Sequence, residues 1–308
     1  MTILVLGYNA LDVTVPVAGQ ALPDSKCEVP AIRLGGGGPG ATAAVTLARL
    51  GARVRLVTVL GDDLGAGIQR AELAAAGVDL SRAVTVAGHA TPRAVILVDA
   101  AAGTRTIYWS RGDLPALDPA AVDPDWLVGC DLLYCDGHEP TAAARLAAVA
   151  RGRGLPVVLD AGGVRPGSRE LVARCTDVIS SETFAPQLTG RTSPREALIA
   201  LRALGPARVA MTFGAAGVLA LPEAGDHLFH VPAFNVPVRD TTGAGDAFHA
   251  GYAFARARGD GWPESLELGA AVAALGCRGW GGREALPDLA AAENLRRHGR
   301  RRTESPPC

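Results

Sequence analysis

Short apolar runs alternate with longer alanine-rich segments along most of the chain. The runs at residues 3–6, 132–135 and 209–212 consist almost entirely of apolar residues, which is typical of strands that are buried on both faces. The segments at residues 39–50 and 141–150 are rich in alanine and leucine and predict helices. Strands that alternate with helices form βαβ units, so we expect an α/β fold with a mainly parallel central sheet.

Two segments, at residues 12–34 and 91–112, do not follow this alternation. Residues 93–109 contain two stretches of alternating apolar and polar residues around a turn at residues 100–103, which predicts a β-hairpin. We expect both segments to form a small β element that lies over one end of the main sheet as a lid and shields a substrate from water. A hairpin without a functional role is the alternative interpretation.

The chain has no clear linker, so we interpret residues 1–298 as a single domain that includes this lid. Residues 299–308 continue a run of arginines and are expected to form a frayed basic tail.

The composition restricts the functions that the chain can have. Its 308 residues include 48% apolar and 20% charged residues with a formal net charge of −1, which argues against nucleic acid or a membrane as partner. The first residues carry no basic region and no stretch is long and apolar enough to span a bilayer, so we expect a cytoplasmic protein. The six cysteines form no CxxC pair, so reduced thiols and no protein metal site are expected.

Residues 240–248, DTTGAGDAF, precede an alanine-rich helix. Gly243, Ala244 and Gly245 are small, so backbone amides near the helix start can approach a ligand closely. These amides lack an internal partner and the helix dipole adds positive charge there, which favours an anion such as a phosphate group. Asp246 at the same helix start can accept the proton of an attacking hydroxyl or can simply cap the helix, and the tetrapeptide alone leaves both interpretations open.

Longer stretches resemble one enzyme family. Residues 240–251, DTTGAGDAFHAG, and residues 35–51, which begin GGGGPGATAAV, are similar to the two signatures of the ribokinase-like (PfkB-type) carbohydrate kinases. Residues 7–12, 61–65 and 212–217 resemble further family elements in the same order along the chain. Within the family, the chain looks most like the sulfofructose kinase and ketohexokinase side.

The resemblance implies a three-layer α/β/α sandwich with a mainly parallel central sheet and a small β-sheet lid. It also implies ATP-dependent phosphorylation of a hydroxyl of a sugar or sugar derivative, a class that includes ketoses and anionic sugars. Mg²⁺ would be bound through the ATP phosphates, and K⁺ is a further candidate at residues 240–242. The lid is a candidate homodimer interface.

The resemblance implies three groups of site residues. The catalytic group consists of the general base Asp246 and the anion-hole residues Gly243, Ala244 and Gly245. The residues implied to bind the sugar are Asp12, Gly37, Gly38, Thr42, Asp136 and Lys26. The residues implied to lie along ATP are Thr212, Gly214, Gly217 and Thr242.

Some positions differ from the family pattern, and other functions stay open. Thr42 stands where many members have Asn, and Phe184 stands at the second acidic position of the family's NxxE element. The alternatives are a nucleoside kinase of the same fold and a binding module without catalysis. A NAD-binding oxidoreductase is a weaker one, because residues 35–40 fit the dinucleotide fingerprint but charges and Pro30 precede them instead of a buried strand. No GxxxxGK[ST] motif occurs, which excludes a P-loop kinase.

Overall fold

The computed structural model describes residues 1–19, 23–99 and 104–306. Its strands are, in chain order, β1 Thr2–Leu6, β2 Ala10–Val17, β3 Arg33–Gly37, β4 Arg53–Val57, β5 Val59–Leu60, β6 Val78–Asp79, β7 Val84–Thr85, β8 Arg93–Asp99, β9 Thr104–Ser110, β10 Leu132–Cys135, β11 Val157–Ala161, β12 Asp177–Ser181, β13 Arg208–Thr212, β14 Val218–Ala220 and β15 Phe229–Val231.

The helices are, in chain order, α1 Pro39–Arg49, α2 Leu64–Ala75, α3 Pro140–Gly152, α4 Ser168–Arg174, α5 Phe184–Thr189, α6 Pro194–Arg202, α7 Ala244–Arg258, α8 Trp262–Gly276 and α9 Leu289–His298. Short 3₁₀ turns lie at Pro119–Ala121, Pro124–Leu127 and Gly214–Ala216. Within the described ranges, no helix combines the length and the apolar character needed to cross a bilayer.

The large sheet has the strand order β15-β14-β13-β12-β11-β10-β1-β4-β6. Neighbours from β6 to β13 are parallel, and β14 and β15 complete the sheet with antiparallel pairing. The carboxyl ends of the parallel strands therefore lie at one edge, where α/β folds bind their ligands.

The two faces of the large sheet bury two separate cores. Along β1, Ile3 and Val5 belong to one core, which α1, α7 and α8 cover. Leu4 and Leu6 belong to the other, which α3, α4 and α6 cover. Successive strand side chains point to opposite faces, so a run of four apolar residues supplies both cores. The predicted three-layer sandwich is confirmed.

A smaller sheet has the order β3-β2-β8-β9, in which β2 pairs antiparallel with β3 and parallel with β8. β8 and β9 pair antiparallel as the predicted hairpin requires, while its turn at residues 100–103 and residues 20–22 of the lid segment lie outside the described residues. Ala94, Ile96 and Val98 are buried against Trp280, so this face of the sheet is turned to the body of the molecule. We call it the inner face and the opposite one the outer face.

Helix α2 was not predicted, although it starts within residues 61–65, which resemble a family element. The carboxylate of Asp63 accepts a hydrogen bond from Ala66 N at 3.0 Å and pairs with Arg93 at 2.6 Å. The two glycines and the charged residues of α2 weaken its sequence pattern, and the cap and the burial of Leu73 stabilise it instead.

The segment after α9 is docked against the body, in contrast to the frayed tail that we predicted. Asn235 N donates to Arg300 O and Arg302 N donates to Ala233 O, both at 2.8 Å. The guanidinium of Arg301 lies 3.7 Å from the centroid of the Phe234 ring. Main-chain hydrogen bonds and a cation–π contact therefore hold residues that looked like a solvated basic run.

Candidate active site

Asp246 lies in the first turn of α7, and the turn before it depends on glycine. Gly243 caps the helix with a left-handed backbone, φ 72°. A Cβ at Gly243 would come within 2.6 Å of Gly282 Cα, so a larger residue would be strained in conformation and in contact.

The amides of the implied anion hole differ in their availability. Ala244 N donates to Thr241 O at 3.2 Å. Gly245 and Asp246 follow in the first turn, where amides lack a partner inside the helix. Gly245 is exposed, and no neighbouring heavy atom lies within 4 Å of the place where its Cβ would stand. Open space for an anion therefore exists in front of Gly245.

Asp246 belongs to a cluster of acidic side chains. Burial, together with the nearby carboxyl groups of Asp160 and Asp136, raises the pKa of Asp246 to about 7, although His249 and Arg283 act in the opposite direction. Burial and Asp136 likewise raise the pKa of Asp160 to about 8. Two carboxyl groups in one desolvated site do not both ionise readily, which leaves a proton acceptor that titrates near neutrality.

His249 fixes the first turn of α7 against the sheet. Its side chain is nearly inaccessible, with Nδ1 2.6 Å from Gly245 O and 3.3 Å from Asp160 Oδ2. Nε2 lies 3.2 Å from Ile179 O. The spacing of three residues from Asp246 puts His249 on the same side of the helix, a signal that sequence reasoning did not use.

The small sheet brings Asp12 to the same cleft. Asp12 lies on the inner face so close to Gly37 that a Cβ at Gly37 would collide with its carboxylate. Burial raises the pKa of Asp12 to about 7; Arg283 lowers it, and Asp246 raises it. Gly38 caps α1 with φ 82° beside them. The structure thus brings Asp12, Gly37 and Gly38 together within the electrostatic reach of Asp246.

Arg283 joins several of these groups, and sequence analysis did not assign it to the site. It is 8% exposed, and its Nη2 donates to Gly37 O at 2.8 Å. Nη1 lies 3.2 Å from Glu72, and Nε lies 3.4 Å from the hydroxyl of Thr42. Thr42 is only 1% exposed, so its hydroxyl is buried next to Arg283.

The carboxylate of Asp136 is held by backbone amides. One oxygen accepts from Tyr8 N at 2.6 Å and from Gly40 N at 2.9 Å, and the other accepts from His138 N at 3.0 Å. Asp136 therefore ties the end of β1 to the start of α1. Its direct contact with a sugar stays a prediction.

Three of the four residues predicted to lie along ATP line one cavity of about 320 Å³. Thr212, Gly214 and Gly217 line it on one side, and Ala244 and Gly245 line it at the start of α7. Its remaining walls are mostly apolar and include Val218, Val236, Val238, Ala270 and Ala274. Thr242 lies apart from this lining, and its hydroxyl donates to Asp240 at 2.7 Å.

A family model decides the identity of this fold and site. The model of the pfkB family of carbohydrate kinases matches residues 2–289. The chain belongs to the pfkB carbohydrate kinase family. The narrower resemblance to sulfofructose kinases stays a prediction.

Relatives and solved structures agree with this family. The ribokinase of Bacillus subtilis (strain 168) is 30% identical over 306 residues, which cover 95% of this chain and 98% of the relative. The nucleoside kinase of Methanothermobacter thermautotrophicus is 25% identical over 295 residues, which cover 94% of each protein. The crystal structure of a candidate ribokinase from Agrobacterium tumefaciens has a TM-score of 0.90 and 27% identity over 96% of this chain and 97% of that one.

Two arginines that the sequence analysis did not assign to the site of this pfkB kinase line the same cavity. Arg105 from β9 donates to the hydroxyl of Thr241 at 2.6 Å, and Arg302 comes from the docked tail. Cations beside the open helix end suit a polyphosphate.

Lys26 and the altered NxxE position lie outside the cavity lining described above. Lys26 is exposed in the segment between β2 and β3. Phe184, at the altered NxxE position, is 2% exposed in the core, and its amide donates to Ser181 Oγ at 3.1 Å. Glu182 beside it is exposed. Together, a proton acceptor, open helix amides and an adjoining cavity make the Asp246 region of this pfkB kinase suitable for phosphoryl transfer.

Proposed function

We propose that the chain transfers the γ-phosphoryl group of ATP to a hydroxyl of a sugar or sugar derivative. Asp246 takes the hydroxyl proton, and the first amides of α7 stabilise the charge of the transferring group. One observation carries the proposal: the pKa of Asp246 is raised to about 7, and its neighbour Gly245 opens onto a cavity.

The cavity supports ATP as the phosphoryl donor. Its apolar wall suits a purine ring, while Gly245, Arg105 and Arg302 suit phosphates. Mg²⁺ prefers few protein ligands and several waters, so we propose that it is bound through the phosphates and adds positive charge there.

K⁺ is a further proposal, for the loop of Asp240. One oxygen of this buried carboxylate accepts from the amide and the hydroxyl of Thr242, and the other accepts from Gly281 N. A cation would share these oxygens, and omission of K⁺ from the assay tests whether turnover depends on it.

The acceptor is proposed to be a sugar, with a nucleoside as the second candidate. The B. subtilis ribokinase supports the first. The Methanothermobacter nucleoside kinase supports the second, together with the Trp109 ring, which is 58% exposed beside Tyr8 and could stack on a base.

We also propose that two copies of the chain pair through the lid. The outer face of the small sheet carries Leu34, Val95 and Tyr108, which are 63%, 40% and 63% exposed. A second copy on this face would cover these apolar side chains.

The proposed base is tested by Asp246→Asn. We expect kcat to fall at least ~10²-fold, the usual scale for a general base, while ATP binding measured by calorimetry is retained. Asp125→Asn, at a side chain that is 80% exposed, serves as the matched control. A coupled ADP-release assay over ketoses, aldoses, sugar acids, phosphosugars and nucleosides supplies the acceptor. Near-normal turnover in Asp246→Asn would overturn the assignment.

A further inference from the structure

Five side chains from four places in the chain form a second cluster next to the Asp246 site. Tyr8 follows β1, His138 follows β10, Arg165 follows β11, and Trp109 and Arg111 lie at the end of β9. The rings of Tyr8 and His138 stack with centroids 4.4 Å apart, and the Trp109 ring lies 6.2 Å from each. The cluster therefore occupies the carboxyl-end edge of the sheet, under the inner face of the lid.

The cluster contains two guanidinium groups. That of Arg111 lies 5.4 Å over the Tyr8 ring and pairs with Glu139. Arg165 is half-buried and donates to Gly163 O at 3.1 Å and to the His138 ring at 3.0 Å. Among the residues that the structure describes, no carboxylate comes within ion-pair distance of Arg165. Arg165 is thus a partly desolvated cation whose direct partners are neutral.

His138 stays neutral beside these arginines. Its burial, together with Arg165 and Arg111, lowers its pKa to about 4, although Asp136 acts in the opposite direction. Arg165 can only donate, so the ring nitrogen that it contacts accepts. The imidazole therefore orients Arg165 but does not cancel its charge.

Tyr8 supplies an independent sign of a ligand. Within the described ranges of the chain, its hydroxyl has no hydrogen-bond partner although the residue is only 7% exposed, and Nε of Arg111 is also buried and unpaired. Burial raises the pKa of Tyr8 to about 12, with Arg111 and Arg165 opposing and Asp136 and Asp12 adding to the shift, so the phenol keeps its proton. Buried donors are rarely left without an acceptor in folded proteins.

We propose that Tyr8, Arg111 and Arg165 form a subsite for an anionic group, a carboxylate or a phosphate, on the acceptor that Asp246 deprotonates. The inference rests on the proposed function and narrows its substrate class. Guanidinium groups bind such anions through directed, charge-assisted hydrogen bonds. With a neutral acceptor, the hydrogen-bond donors of these three side chains would be paired only with water.

The position of Asp12 relates this subsite to the base. The charge of Asp12 acts on Tyr8, and the charge of Asp246 acts on Asp12, so Asp12 is within electrostatic reach of both groups. In the proposed arrangement, the acceptor places its reacting hydroxyl at Asp246, a further hydroxyl at Asp12 and its anionic end at Arg165.

The first test compares matched acceptors in the ADP-release assay: D-glucose, D-gluconate and D-glucose 6-phosphate, and the corresponding ribose set. We expect at least one anionic acceptor to have a higher kcat/KM than its neutral counterpart. Whether that acceptor is the acid or the phosphate shows which anionic group the subsite binds. Arg165→Gln should lower kcat/KM for that acceptor about 10- to 100-fold and for the neutral sugar by less than about threefold, the scale of a charged hydrogen bond. Arg165→Lys should restore part of the loss, and the exposed Arg297→Gln should have no effect.

The second test measures binding without turnover. D-gluconate and D-glucose 6-phosphate are titrated into the ADP-saturated Asp246→Asn variant and into the same variant with Arg165→Gln, whose melting temperature is checked first. Weaker binding with Arg165→Gln supports the subsite.

Four outcomes separate the two proposals. Equal losses for neutral and anionic sugars, or turnover of nucleosides alone, overturn the subsite and leave the kinase assignment intact. Failure of every acceptor to release ADP overturns the proposed function, and the calorimetry then decides the subsite by itself. Equal binding to both variants overturns the subsite.

Discussion

At the scale of single residues, the proposed role of Asp246 as the base predicts how turnover depends on pH. Burial and the neighbouring Asp160 raise its pKa to about 7, and a base works only when it is ionised. We therefore expect kcat/KM to fall as the pH drops below about 7 and to level off above it. Asp160→Asn removes a group that raises the pKa of Asp246, so the falling limb should move to lower pH.

The measurement is a pH profile of kcat/KM for both proteins, with Asp125→Asn as the control, because its carboxylate is exposed and pairs with Arg153 rather than with the cluster. An unchanged limb in Asp160→Asn would show that the two carboxyl groups do not titrate together.

The two glycines around Ala244 should respond differently to substitution. Gly243→Ala forces a side chain into a left-handed conformation and against Gly282, so we expect a loss of about 1–3 kcal/mol in the free energy of unfolding. A Cβ at Gly245 meets no neighbour within 4 Å, so Gly245→Val should melt close to wild type. It should nevertheless lose at least ~10-fold in kcat, because the valine occupies the space in front of the amides. Melting curves and kinetics of both variants test the distinction, and normal turnover in Gly245→Val would move the anion hole elsewhere.

At the scale of elements, the segment after α9 contributes to stability. Arg301 contacts the Phe234 ring, donates to Pro232 O at 3.0 Å and pairs with Glu267 at 3.1 Å. We expect Arg301→Ala to lower the free energy of unfolding by about 1–2 kcal/mol. Arg300→Ala, at an exposed neighbouring side chain, should change it little. Equal denaturant midpoints for the two variants would contradict the docked arrangement.

The elements of the large sheet were predictable because both of their faces are buried. The run at residues 3–6 is apolar at every position, and both cores need it to be so. Helix α2 was missed because tertiary contacts and the Asp63 cap, rather than its own pattern, stabilise it. The tail was mispredicted because its arginines find partners far away in sequence.

The candidate site also contains residues that were predictable from the sequence and residues that were not. Gly243, Gly245 and Asp246 are contiguous, so their chemistry could be inferred from local sequence. Asp160 and Arg283 act on this segment only through the fold, because they lie about 40 to 90 residues away in sequence, and Arg165 acts in turn on Asp160. No local pattern marks these three residues. Their effect on pKa values and on the predicted ligand contacts therefore required the structure.

At the scale of the whole molecule, the outer face of the lid determines the expected oligomeric state. We expect a homodimer in solution, and Tyr108→Asp on this face should weaken its association at least ~10-fold, because a charge would be buried at an apolar interface. Sedimentation equilibrium measures the change.

Ile107→Asp is the register control, because Ile107 lies opposite Ile96 on the inner face and should leave the dimer intact. A wild-type monomer, or a dimer that persists in Tyr108→Asp, would reject the lid as the interface.

Along β9, successive side chains alternate between the cleft and the outside of the molecule. Arg105, Ile107 and Trp109 point to the cleft, whereas Thr106 and Tyr108 point to the outside. A single inserted residue would exchange these two sets from that point onward. Under the proposed function, point mutations at every second codon of the strand would alter the face turned to the acceptor, whereas a one-codon insertion would displace that face and the proposed dimer face at once.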